Sequence, residues 1–129
     1  MRNVPQCILV VDDDAEGAHA LANALALELR CEVHTAYDGA DALDKACEYR
    51  PEVIVMDIGM PLVNGIEAGK LLRRLFNGHA PRMLALIGCD CEEDRRAIRE
   101  CGFEQHFVKP VDLKQLVAAI VGHGEEKAA

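Results

Sequence analysis

Three short runs of the chain are continuously apolar: CILVV (7–11), VIVM (53–56) and MLALI (83–87). Unbroken rather than alternating hydrophobicity predicts strands covered on both faces, as in a parallel sheet. CEVHTAY (31–37) and EQHFV (104–108) are more mixed and predict further strands toward the sheet edges. Between these runs the apolar period changes to that of a helix. Ala18, Leu21, Ala22, Leu25 and Leu29 recur at helical spacing, as do Ala68, Leu71, Leu72 and Leu75, and Leu113, Leu116, Val117 and Ile120. A helix over about 39–49 carries Leu43, Ala46 and Cys47 inward. CEEDRRAIRE (91–100) is mostly charged, with Ala97 and Ile98 its inward positions and the rest a solvated face. Asp112 with Gln115 resembles a capping box at the start of the last helix.

Strands alternating with helices imply an α/β sheet with right-handed crossovers and helices on both faces. A dinucleotide-binding version fails at the first turn. DDDAEG follows the first strand where a glycine-rich GxGxxG would stand, and acids there repel a pyrophosphate. The expected fold is a flavodoxin-like (βα)5 three-layer sandwich with parallel sheet order 2-1-3-4-5. Its site would lie at the carboxyl ends of strands one and three.

Composition narrows the function. At 129 residues the chain is expected to form a single domain, with a core over about 5–122 and a frayed tail at 123–129. A net charge of −8 argues against direct contact with nucleic acid. No apolar run approaches a membrane span, and MRNVPQC has no signal-like core, so a cytoplasmic protein is expected. The cysteines at 7, 31, 47, 89, 91 and 101 form no CxxC pair, and most sit in apolar patterns as small hydrophobes. Cys89, Cys91, Cys101 and His106 make the one loose cluster, with a spacing unlike a zinc knuckle. The chain has no serine and a single threonine, Thr35, which removes serine-based hydrolase chemistry.

The acids carry the chemistry. Asp12 and Asp13 end the first strand and Asp57 ends the third, so the predicted order crowds three carboxylates into one crevice. Asp57 as a plain turn-former is the competing reading. Three like charges need a cation, and an all-oxygen donor set suits Mg²⁺. Lys109-Pro110 ends the fifth strand, where a lysine reaches the same crevice. Acids, Mg²⁺ and lysine together suit the handling of a phosphoryl group. Asp14 reads as an N-cap or first-turn acid of the first helix.

ILVVDDD, VIVMDIGMP with Gly65 beyond it, and FVKP resemble the receiver domain of two-component response regulators, in a style similar to receivers attached to hybrid histidine kinases. The resemblance implies that Asp57 accepts a phosphoryl group from a sensor histidine kinase or a histidine phosphotransfer protein. It implies that Asp12, Asp13, Asp57 and the Gly59 carbonyl hold Mg²⁺, Asp12 largely through water. Lys109 would pair with phosphoryl oxygens, and the peptide before Pro110 would be cis. Such a protein is a phospho-acceptor rather than an enzyme, with at most slow self-dephosphorylation. It would signal through the face of helix four, strand five and helix five, or by phosphorelay.

Two positions depart from the family pattern. Its Thr or Ser at the end of strand four is Ile87 here, and no hydroxyl residue follows Thr35 to replace it; Cys89 belongs to the loop. Its aromatic switch residue in strand five is His106. A hydrogen bond to a charged group contributes about 1.5–3 kcal/mol, so the expected protein is a phospho-acceptor with a weakened or altered switch. A phosphate-independent binding module stays open as the alternative. A phosphatase forming an aspartyl-phosphate is a remote one: Asp12-x-Asp14 fits it, but its Ser/Thr after a second strand is missing.

Overall fold

Five parallel strands pair in the order β2-β1-β3-β4-β5. They are β1 (Cys7–Val11), β2 (Glu32–Ala36), β3 (Val53–Asp57), β4 (Arg82–Ile87) and β5 (Gln105–Val108). Helices α1 (Ala15–Leu29), α2 (Gly39–Tyr49), α3 (Gly65–Phe76), α4 (Glu92–Glu100) and α5 (Leu113–Val121) alternate with them. The computed structural model describes residues 4–59, 65–77, 79–88 and 90–122. Pro61, Cys89 and the 123–129 tail lie outside the described residues.

The flavodoxin-like arrangement follows from the apolar runs. Every residue of β1 and β3 is buried, and only Arg82 of β4 is partly exposed. Alternate residues of these strands feed two cores. Ile8, Val10, Val53, Val55 and Leu84 pack against Ala18, Ala22 and Leu25 of α1 and Leu116, Val117 and Ile120 of α5. Leu9, Val11, Ile54, Met56 and Met83 pack against Ala42 and Ala46 of α2, Ala68 and Leu72 of α3, and Ile98 of α4. The mixed strands β2 and β5 are the sheet edges, as their patterns predict.

Three inward assignments need correction. In α3, Ala68 and Leu72 meet the sheet, whereas Leu71 and Leu75 are 38% and 49% exposed. A residue next to the buried stripe is turned about 100° away from it, so the four apolar positions do not all reach the sheet. Leu71 and Leu75 instead line a shallow groove toward Leu43 of α2, and Cys47 on the rim of that groove is exposed.

Local chemistry sets the helix ends. Asp112 accepts from the Lys114 and Gln115 amides at 2.9 and 3.3 Å, capping α5. Asp38 accepts from the Asp41 amide at 2.7 Å, while Asp41 reaches back to the Tyr37 amide at 3.1 Å, a reciprocal cap on α2. Helix α4 ends in a Schellman motif: Phe103 N–H donates to Ile98 and Gly102 N–H to Arg99, with Gly102 at φ 85°. That turn drives Phe103 into the core, where its ring lies against Gly69 of α3. A β-carbon on Gly69 would come within 2.9 Å of the Phe103 ring. Arg82 then clamps the base of the fold. Its guanidinium makes two bonds to the Glu104 carboxylate, at 2.8 and 2.7 Å, and donates to the Ile120 and Ala119 carbonyls at the end of α5.

Helices α1 and α2 end on arginines in the left-handed region, Arg30 at φ 53° and Arg50 at φ 48°, where glycine is the usual occupant. A Cβ there carries a steric cost that glycine lacks. Arg30→Gly is therefore expected to stabilise the fold by about 0.5–1 kcal/mol, read as a higher urea midpoint at unchanged slope. A lower midpoint would show that the Arg30 side chain holds something the backbone geometry does not reveal.

Candidate functional site

The crevice forms at the carboxyl ends of the neighbouring strands β1 and β3, and Lys109 reaches it from the end of β5, beyond β4. Met56 pairs with Val11, so Asp57 and Asp12 follow at one level of the sheet. The backbone holds the loops beyond: Asp12 N–H donates to the Ala36 carbonyl at 3.0 Å, Ile58 N–H to Leu86 at 3.0 Å, and Lys109 N–H to Ile87 at 2.8 Å. Asp12 and Asp57 are the buried polar residues among those described, 8% and 6% exposed.

Both carboxylates are oriented in the same way. One oxygen of Asp12 accepts the Asp14 amide at 3.0 Å, and one oxygen of Asp57 accepts the Gly59 amide at 3.0 Å, each an Asx turn two residues long. Their other oxygens converge on Lys109, whose Nζ lies 3.3 Å from Asp12 Oδ2 and 3.2 Å from Asp57 Oδ2. The exposed Asp13 completes the set, so that Asp12, Asp13 and Asp57 each bring a carboxylate oxygen within 4.8 Å of the others. Two unit charges at that separation repel by roughly 3–4 kcal/mol at an effective dielectric of about 20. One lysine offsets part of this.

Burial raises the Asp57 carboxyl above the ordinary aspartate range, and Asp12 adds to the rise; the Gly59 amide and Lys109 pull it back without cancelling it. Burial works the other way on Lys109, but the hydrogen bond and charge of Asp57, with Asp12, outweigh it and raise its ammonium above the usual value. The lysine is therefore held charged beside an acid that resists ionisation. The open donor set, three hard oxygens next to solvent, matches what Mg²⁺ accepts. It offers no sulfur or nitrogen that would select a softer ion.

The other anticipated positions lie elsewhere. Ile87 is fully buried at the end of β4, one residue past Leu86, the register partner of Asp57. It belongs to the core on the α2–α3–α4 side and presents no hydroxyl to the crevice. His106 is half-buried on β5, with Nε2 3.7 Å from Asp90, which Arg95 also approaches at 3.5 Å. The Lys109–Pro110 peptide is cis. Asp14 occupies the N-cap position of α1, yet its side chain makes no capping bond; its amide serves Asp12 instead. The loose cysteine cluster does not assemble among the described residues. Cys91 precedes α4, whereas Cys101 is buried behind its far end, and nine helical residues span about 13 Å. Among the described residues, one further set of three metal-type donors does assemble, Cys7, Glu32 and His34. It escapes a reading of the sequence because it depends on which residue of β2 stands beside which of β1.

This architecture and crevice are those of a receiver domain, and comparisons with known proteins agree. The family described as response regulator receiver domain matches residues 8–121, and the chain belongs to it. It is 41% identical over 113 residues to the transcriptional regulatory protein PrrA of Mycobacterium tuberculosis, covering 88% of this chain and 47% of that protein. It is 33% identical over 116 residues to the response regulator ArlR of Staphylococcus aureus, covering 88% and 50%. The chain thus spans about half the length of the curated relatives it matches. Among solved structures, the chemotaxis protein CheY4 of Vibrio cholerae superposes with a TM-score of 0.81 at 29% identity, covering 88% of this chain and 94% of that one. The receiver domain of the Saccharomyces cerevisiae response regulator Ssk1, solved with the histidine phosphotransfer signaling protein Ypd1, gives 0.80 at 25% identity, covering 92% and 88%. Among the described residues no helix is long and apolar enough to cross a membrane.

An acid whose carboxyl is raised in the folded state binds its proton more tightly there than in the unfolded chain. Stability then falls as pH rises from the ordinary aspartate value through the raised one, and the penalty is complete above the raised value. Asp57→Asn is therefore expected to raise the urea midpoint at pH 7 in EDTA, with the gain shrinking as pH is lowered toward the carboxylate range. An equal or lower midpoint at pH 7 would mean that the Lys109 contact stabilises the native state more than burial opposes it.

Proposed function

We propose that this chain is a phospho-acceptor receiver, taking a phosphoryl group onto Asp57 from a phosphohistidine of a sensor histidine kinase or histidine phosphotransfer protein. The observation that carries this reading is the convergence of Asp57, Asp12 and Asp13 with Lys109 in one solvent-facing crevice. In the transfer, an Asp57 carboxylate oxygen forms a bond to phosphorus as the phosphorus–nitrogen bond of the donor breaks. The freed imidazole then takes a proton from solvent. Gly59 N–H and Lys109 keep the acceptor oriented, so the carboxylate meets its donor without first reorganising. Asp13, Asp57 and the Gly59 carbonyl, with Asp12 largely through water, would hold Mg²⁺, which would supply the positive charge that lets an anionic acceptor approach an anionic phosphoryl group. As charge builds on the phosphoryl oxygens, Lys109 Nζ exchanges its contacts with Asp12 and Asp57 for them.

The chain is not a turnover enzyme in this reading; its one hydrolytic step is slow loss of its own phosphoryl group. The receiver solved with a phosphotransfer protein supports the partner class. The face of α4, β5 and α5, where edge strand β5 exposes Val108, is the proposed docking surface. A net charge of −8 disfavours direct contact with nucleic acid. A cytoplasmic location belongs to this reading, as is typical of receiver domains.

One observation favours a second reading, a phosphate-independent binding module. Ile87 is packed in the core where the family places a hydroxyl, so phosphate has no side chain there to draw inward. Intact mass spectrometry after incubation with Mg²⁺ and acetyl phosphate separates the two. Gain of one phosphoryl group in the parent and none in Asp57→Asn is expected. No gain from acetyl phosphate or from a phosphohistidine donor would favour the binding module.

Ile87→Thr tests the switch. Placing a hydroxyl in this core is expected to cost about 1–3 kcal/mol of stability. The phosphorylated variant is expected to show amide-exchange changes over 88–95 that the phosphorylated parent lacks. Equal changes in both would mean that the switch does not need the hydroxyl.

A further inference from the structure

The end of the sheet opposite the aspartates carries a second donor set, of different chemistry. Cys7 opens β1, Glu32 opens β2, and the parallel register sets them side by side. His34 stands two residues along β2, so its side chain leaves the same face as that of Glu32. That is the α2 side of the sheet, the side to which Leu9, Val11 and Ala36 also turn. One ligand atom from each of Cys7, Glu32 and His34 lies within 4.8 Å of the other two. His34 Nε2 is 2.6 Å from Glu32 Oε2. The imidazole is held flat on Tyr49 of α2, with ring centroids 3.5 Å apart and planes 10° from parallel. Cys7 is buried, His34 half-buried and Glu32 exposed, which leaves an approach from solvent to a shielded thiol.

The local electrostatics lack a cation. Burial first, then Glu32, which also accepts the thiol hydrogen bond, push the Cys7 thiol up to about 11, and Cys31 and Glu52 add to the effect. Glu52 itself is engaged by the Gln6 amide at 2.5 Å. Among the described residues no lysine or arginine pairs with Glu32 or Glu52.

We propose that Cys7, Glu32 and His34 form a binding site for a borderline-soft divalent cation of the Zn²⁺ class. Sulfur, nitrogen and oxygen donors with a fourth position left to water are a zinc-type set, and Mg²⁺ has little affinity for it. Zinc bond lengths of about 2.0–2.3 Å place donor atoms roughly 3–4 Å apart, so His34 Nε2 and Glu32 Oε2, 2.6 Å apart here, open slightly around the ion. As the metal–sulfur bond forms, the Cys7 proton passes to solvent. His34 gives the lone pair of Nε2 and keeps its proton on Nδ1, and Glu32 gives a carboxylate oxygen. The bound ion cross-links the edge strand β2 to β1 at the end of the sheet remote from Asp57. It is independent of whether Asp57 accepts phosphate.

The test uses the whole chain, reduced and stripped of metal, titrated with Co²⁺ in excess Mg²⁺. A thiolate-to-cobalt charge-transfer band saturating at one equivalent, and bleached by Zn²⁺, is expected. Cys7→Ser should abolish the band. Glu32→Gln and His34→Gln should weaken binding at least about tenfold, the lower bound for losses even in the outer shell of metal sites. Cys31→Ser, Cys47→Ser and Asp57→Asn should leave it unchanged. Glu32 is exposed, so Glu32→Gln decides the matter should Cys7→Ser fail to fold. No band at ten equivalents, a band that survives in folded Cys7→Ser, or Glu32→Gln and His34→Gln binding like the parent would overturn the proposal.

Discussion

Strands β1, β3 and β4 are buried on both faces, and that constraint organises the rest of the molecule. A strand covered by helices on either side has nowhere along its length for a charge, because an unpaired ion in that interior costs several kcal/mol. Polar chemistry is therefore displaced to the strand ends. At one end Asp12 and Asp57 follow the last apolar residues of neighbouring strands. At the other, Cys7 and Glu32 begin them. Both donor sets arise because adjacent parallel strands enter and leave the core at common levels.

The aspartate crevice is assembled against its own electrostatics. Backbone amides from Asp14 and Gly59 hold one oxygen of each acid, and Lys109 spans the other two. One cation set among three clustered carboxylates leaves the balance negative, so the site is poised for a further positive charge. Burial that raises the Asp57 carboxyl also shields it from competing water. Stability and readiness for chemistry pull in opposite directions here, a common feature of functional sites.

In the proposed reading, the switch region is where this chain departs from the pattern it resembles. Ile87 joins the α2–α3–α4 core alongside Ile98 and Phe103, and that core is tied down at the far end of α4 by the turn at Gly102. A methyl-rich side chain at this point strengthens packing and offers no hydrogen bond to the crevice. His106 Nε2 lies 3.7 Å from Asp90, so a polar contact links β5 to the loop before α4. Arg82 anchors Glu104 and the end of α5 from β4, which makes the opposite margin of that face the rigid one.

The apolar period of the sequence by itself determined the elements, their order and the identity of the crevice acids. Continuous apolar runs belong to buried strands, and an acid directly after such a run falls at the strand end whatever the neighbouring helices do. That Lys109 reaches the same crevice was legible from its place at the end of β5, whereas its contacts with both Asp12 and Asp57 were decided by the tertiary structure. Period does not report how wide a buried stripe is, so Leu71, Leu75 and Cys47 look inward on paper, and only the packing of α2 against α3 turns them to the surface. Nor does proximity along the chain give proximity in space. Cys91 and Cys101 are near neighbours in sequence held apart by a helix, whereas Cys7 and His34 are separated by a whole helix and meet. Strand register decides such meetings, and register is set by the sum of many side-chain contacts across the sheet rather than by any motif within one strand.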